Sequence, residues 1–119
     1  MDKLDLKKQY RHLYSPSAKT PEIVEVPPLN YIMVNGHGDP NTAPEYGEAI
    51  QTLYSLSYTL KFHSKKTQDR DYGVMGLEGL WWIADMSRFT SAPKSEWDWT
   101  MMILQPDFIT PALFEEAKQ

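Results

Sequence analysis

Between positions 46 and 60 the apolar residues Tyr46, Ala49, Ile50, Leu53, Leu56 and Leu60 recur at spacings of three and four, which puts them on one stripe of a helix. The stripe predicts an amphipathic helix from Pro44 to about His63, with Tyr54 and Tyr58 side by side on its flank. Its start is marked by the capping-box spacing Thr42-x-x-Glu45 and by Pro44 in the first turn. Upstream, LNYIMVNG at residues 29 to 36 is an apolar run too continuous for a strand buried on one side only. IVEV at 23 to 26 has the composition of a short strand, but Pro27-Pro28 ends it and bars it from a central ladder position. Downstream, YGVMGLEGLWW at 72 to 82 reads as a second strand, its glycines at 73, 76 and 79 pointing to a bulge or a close approach. EWDWTMMILQ at 96 to 105 reads as a third, ended by Pro106. TPALFEEAKQ opens a further helix, with Thr110 as N-cap and Pro111 in the first turn. Residues 1 to 21 read as a short helical turn or arm running into a loop at Ser15-Pro16-Ser17. The order strand, helix, strand, strand is an α+β arrangement with a hairpin after the helix and an antiparallel sheet.

Side-chain parity carries this reading toward function. On the second strand Glu78, Leu80 and Trp82 share one face while Leu77 and Trp81 share the other. On the third, Trp97, Trp99, Met101 and Ile103 oppose Asp98, Thr100, Met102 and Leu104. Both faces are apolar, and one helix covers only one face of a small sheet. The sequence therefore predicts an exposed aromatic patch, to be covered by a second copy, a second module or a ligand.

Composition narrows the possible partners. The 119 residues suit one domain, divided into an N-terminal arm with a short strand at 1–28, a strand-helix-strand-strand module at 29–109 and the start of a C-terminal or linker helix at 110–119. Twelve Lys and Arg against sixteen Asp and Glu give a formal charge of -4 with no basic stripe, which disfavours nucleic acid. No run approaches the roughly 20 apolar residues of a membrane span, the charged start MDKLDLKKQYRH lacks a signal-peptide core, and cysteine is absent. A cytoplasmic protein without membrane association is the expectation. His12, His37 and His63 are scattered, so neither a metal nor another cofactor is expected. GHGDPN lacks the third glycine of a dinucleotide fingerprint and reads as a turn before a helix. Aromatic residues make up 13%, with four Trp and seven Tyr, enough to build a ligand-binding wall.

The run GHGDPN at 36 to 41, PEYGEAIQTLYSLSYTLKF at 44 to 62, MGLEGLWW at 75 to 82 and WDWTMMILQPDFIT at 97 to 110 together resemble GyrI-like small-molecule-binding proteins, in particular the bacterial branch that includes cyclopropanoid cyclopropyl hydrolases. The resemblance implies two strand-helix-strand-strand modules related by a pseudo-twofold, with a pocket for bulky aromatic or cationic ligands where they meet. This chain matches one such module, so the resemblance implies either a homodimer or a missing second module. Gly76 stands where that pattern leads one to expect proline.

Each candidate residue has a functional and a structural reading. Glu78 is the candidate catalytic carboxylate, drawing a ligand cation or activating water, against an edge glutamate in solvent. Trp81, Trp97 and Trp99 are candidates for stacking on a planar ligand, against core packing, and Trp82 is expected in the core. Tyr54 and Tyr58 either line the pocket or pack on the sheet. Met101 and Met102 either form an adaptable lining or fill core, and Asp98 is the alternative acid. The first expectation is binding of bulky hydrophobic or aromatic small molecules, with sequestration of a drug or toxin. Alternatives are hydrolysis of cyclopropane-bearing DNA-alkylating compounds, and a protein-interaction module.

Overall fold

The computed structural model describes residues 3–15 and 18–118. The chain opens with strand β1 (Lys3–Leu4) and two single-turn helices, α1 (Leu6–Gln9) and α2 (Arg11–Tyr14). Asp5 caps the first, its carboxylate accepting from the Lys7 and Lys8 amides. Then come β2 (Asn30–His37), the long helix α3 (Pro44–Thr67), β3 (Asp71–Tyr72), β4 (Glu78–Trp82), β5 (Asp98–Gln105) and α4 (Pro111–Ala117). Strands β2, β5 and β4 form an antiparallel sheet with β5 in the middle. The expected strand, helix, strand, strand order and the pairing of the last two strands are both present.

The register fixes what each face carries. Paired residues lie on the same face, so Gly36, Trp99 and Trp81 belong to one side together with Ile32, Ile103, Met101 and Gly79. Helix α3 covers that side with Ala49, Leu53 and Leu60, all buried. Between them Ser57 accepts a hydrogen bond from Gln105 Nε2 at 3.2 Å, and Ser64 donates to the Arg70 carbonyl at 2.9 Å. These two serines sit on the buried stripe because each has a partner there. Glycine is required on the covered face at two places. A β-carbon on Gly36 would lie 2.2 Å from the Trp99 ring, and one on Gly79 would lie 2.5 Å from Trp81 and 2.9 Å from the Met101 sulfur.

Four sequence expectations change. The strand expected at 72–82 is two strands in different sheets. Its start, β3, pairs in parallel with β1, because Tyr72 is drawn into the core and Gly73 donates to the Leu4 carbonyl. Only Glu78–Trp82 joins the main sheet. IVEV at 23–26 pairs with no strand and Ile23 is fully exposed; four residues ended by Pro27-Pro28 are too short a run to hold a strand without a partner. The Thr42 capping box does not form: Ala43 is the N-cap residue and makes no side-chain cap. Asp39 closes that turn instead, its carboxylate taking the Asn41 amide and its carbonyl those of Thr42 and Ala43. The helix also runs about one turn beyond His63. Thr110 caps α4 as expected, accepting from the Leu113 amide. Of the expected loop after the arm, residues 16 and 17 lie outside the described residues.

One ion pair joins α3 to β3. Lys61 Nζ donates at 2.7 Å both to Asp71 Oδ1 and to the Tyr72 carbonyl, and the lysine holds the Asp71 carboxyl below its ordinary value of 3.8. A depressed carboxylate contributes stability that is complete above its unfolded value and is lost as pH falls through the folded one. Denaturation midpoints are therefore expected to decline below pH 3.8, and Asp71→Asn should flatten that part of the urea-denaturation profile.

Candidate functional site

The opposite face of the sheet is not covered by α3; only the arm's short helix α2 reaches it, at the Glu78 end. It is built in rows: Tyr31 beside Leu104; Met33, Met102 and Glu78; Asn35, Thr100 and Leu80; His37, Asp98 and Trp82. On the middle strand Thr100, Met102 and Leu104 are buried by their neighbours. On the flanks Met33 is 56% exposed, Leu80 57% and Trp82 38%. The exposed patch anticipated from parity is thus present but is more aliphatic than aromatic, Trp82 sharing it with Met33 and Leu80 because Trp99 and Trp81 take the other face, and a row of polar groups is set into it.

Glu78 is held at one end of this face. The Tyr14 hydroxyl, brought by the N-terminal arm, donates to Glu78 Oε2 at 2.8 Å. Burial, then the hydrogen bond to Glu78, push the Tyr14 hydroxyl well above the ordinary phenol value. It stays protonated and donates throughout the neutral range. A carboxylate accepts about four hydrogen bonds, so Glu78 retains capacity for a ligand cation, an N–H donor or a water. Replacing Tyr14 by phenylalanine is expected to lower stability by about 1 kcal/mol, read by urea denaturation, because the donor to Glu78 is lost. Beside Tyr31 and Met33 a groove of about 490 Å³ opens along the outer edge of β2 against α4, walled further by Leu29, Ile109, Pro111 and Phe114.

The structure separates the other candidates from Glu78. Trp99 is 1% and Met101 2% exposed, both in the core beneath α3, where Trp99 meets Tyr46 edge-on at 5.3 Å. Neither surface is offered to a ligand. Trp81 lies on the same helix-covered side, its ring folded over Gly79. Trp82, expected in the core, is the tryptophan on the open face beside Leu80 and Glu78. Trp97 precedes β5 and stacks on Phe89 at 5.2 Å, with Lys94 Nζ 5.5 Å from its ring. Tyr54 accepts the Leu77 amide and so ties the approach to β4 onto α3. Tyr58 is exposed on the outer side of α3, stacked on Phe62.

Sequence reasoning did not single out Tyr14, Tyr31 or Met33. Tyr31 and Met33 were within reach, because alternate residues of 29–36 must face the open side once the strand is paired. Nothing in the local pattern of the arm points Tyr14 at Glu78, which is 64 positions away. Among the described residues no group of three or more His, Cys, Asp or Glu is placed to hold a metal ion, and no helix is long and apolar enough to cross a membrane.

No family model and no curated protein matches the chain. Solved structures from Listeria innocua do. An uncharacterized conserved protein is 40% identical with a TM-score of 0.86, and two hydrolases are 39% and 38% identical with TM-scores of 0.79 and 0.81. Each match covers 98% of this chain and 57% of the other. The chain shares the fold of these Listeria proteins and spans a little over half their length.

Proposed function

We propose that this chain binds bulky apolar or aromatic small molecules on the sheet face opposite α3, as a module of the GyrI-like type. One observation carries the reading: Glu78, fixed by Tyr14, stands among Met33, Leu80 and Trp82, all substantially exposed on a face that α3 does not cover. Such a surface suits a ligand with a flat apolar body and a cationic or N–H-rich end. The opposite wall is supplied by a second module or by a second copy related by a twofold axis. The test is titration with biphenyl-4-carboxamidine against its neutral analogue biphenyl-4-carboxamide, followed by tryptophan fluorescence. The amidine is expected to bind more tightly, and Glu78→Gln to weaken it by roughly 10-fold, the scale of a hydrogen bond to a charged group. Equal binding of both compounds, unaltered by Glu78→Gln, would contradict the role given to the carboxylate.

A second reading is favoured by the two hydrolases among the structural neighbours. In it Glu78 takes a proton from water as the water oxygen bonds to a carbon of a strained cyclopropane. The broken carbon–carbon bond delivers its electron pair to a conjugated carbonyl. Opening of such a compound by the purified protein, abolished in Glu78→Gln while binding persists, supports hydrolysis. Binding without turnover leaves the first reading alone.

A further inference from the structure

A second polar site stands at the far end of the open face. His37 Nδ1 lies 2.7 Å from Asp98 Oδ1, in the row that ends with Trp82. In the neutral ring the carboxylate selects the tautomer: Nδ1–H donates to Asp98, and Nε2 keeps a lone pair. Both side chains border a cavity of about 300 Å³ that Ile83, Asp85, Arg88 and Glu96 complete. The other polar groups there are already engaged. Asp85 accepts from the Ser87 amide and hydroxyl, and Arg88 faces Glu96 at 3.5 Å. Three carboxylates against one arginine make the cavity unsuitable for an anion. What it offers is an acceptor nitrogen backed by a carboxylate.

Between this site and Glu78 lies the row of Asn35, Thr100 and Leu80. Thr100 donates to Asn35 Oδ1 at 2.6 Å, which engages the threonine hydroxyl, and Leu80 and Trp82 form an apolar floor on the β4 side. Glu78 on β4 is opposite Met102, the His37–Asp98 row lies four residues further along β5, and His37 stands on β2, two strands across; about 3.3 Å per residue and about 4.8 Å per strand give a diagonal of about 16 Å. Two aromatic rings in line fill that distance once a hydrogen bond is added at each end.

We infer that His37 and Asp98 form a second pole of ligand recognition, accepting a neutral hydroxyl or N–H donor at the distal end of an elongated aromatic molecule whose other end lies at Glu78. This rests on the binding reading above and specifies the ligand class: two-ended, with a phenol-like donor opposite the cationic or N–H-rich end. His37 acts here as an acceptor, oriented by Asp98.

The experiment compares biphenyl-4-carboxamidine with its 4′-hydroxy derivative. The hydroxylated compound is expected to bind roughly 3- to 10-fold more tightly, the range of one net hydrogen bond, and His37→Phe to bring the two affinities together. If both compounds bind the wild type equally, or if the preference survives in His37→Phe, this inference is overturned and the binding reading stands. If neither binds, the binding reading fails and a titration with p-cresol decides the inference separately. The imidazole ¹⁵N resonances of His37 are expected to move at Nε2 and not at Nδ1. An unmoved Nε2 overturns the assignment.

Discussion

Replacement of Trp99 by alanine is expected to destabilise the protein by about 3–5 kcal/mol, a large share of the roughly 5–15 kcal/mol that holds a typical domain folded. The side chain is 1% exposed, packs edge-on against Tyr46, and sits between Gly36 and Trp81 in the register of the sheet. Removing it empties the space under the first turns of α3. Phenylalanine at the same position should cost much less. It keeps an aromatic ring beneath the helix. Urea denaturation of the two variants measures how the cost grows with the volume removed.

Gly36→Ala should also be damaging, for the opposite reason. The added β-carbon would stand 2.2 Å from two carbons of the Trp99 ring, well inside contact distance. The indole is confined by Tyr46 and by the strand beside it, so the backbone of β2 must move. The expected cost is about 1–3 kcal/mol. Because the three nearest atoms to that β-carbon all belong to the Trp99 ring, the same substitution in a Trp99→Leu background should lose most of its effect. A double-mutant cycle measures that coupling, and simple additivity of the two changes would contradict this packing.

The elements that the sequence disclosed were those set by local periodicity and capping chemistry. The stripe from Tyr46 to Leu60 placed α3, the apolar runs placed β2 and β5, and Thr110 with Pro111 placed the start of α4. Parity also correctly grouped Glu78 with Leu80 and Trp82. What parity leaves open is which of two apolar faces the helix takes, because that depends on how the chain crosses over and pairs at long range. Trp99 and Met101 were accordingly expected at a ligand and lie in the core, while Trp82 was expected in the core and lies on the open face. A signal was present: both glycines that make room for indole rings, Gly36 and Gly79, share the face of Trp99 and Trp81. The break within 72–82 was hidden for another reason. Its continuous apolar composition serves two burial environments, Tyr72 under one sheet and Glu78–Trp82 along the edge of another, and composition does not record the change of partner. The contact between Tyr14 and Glu78 is a tertiary event that no local pattern encodes.

The central claim is that ligands occupy the sheet face opposite α3, and the methionines mark its two sides. Met33 and Met102 lie on the open face; Met101 is on the helix side, and both Met101 and Met75 are buried in the core. With ¹³C-methyl-labelled methionine, addition of biphenyl-4-carboxamidine is expected to shift the Met33 and Met102 resonances and to leave Met101 and Met75 in place. Shifts at Met101 and Met75 with Met33 unmoved would contradict the account.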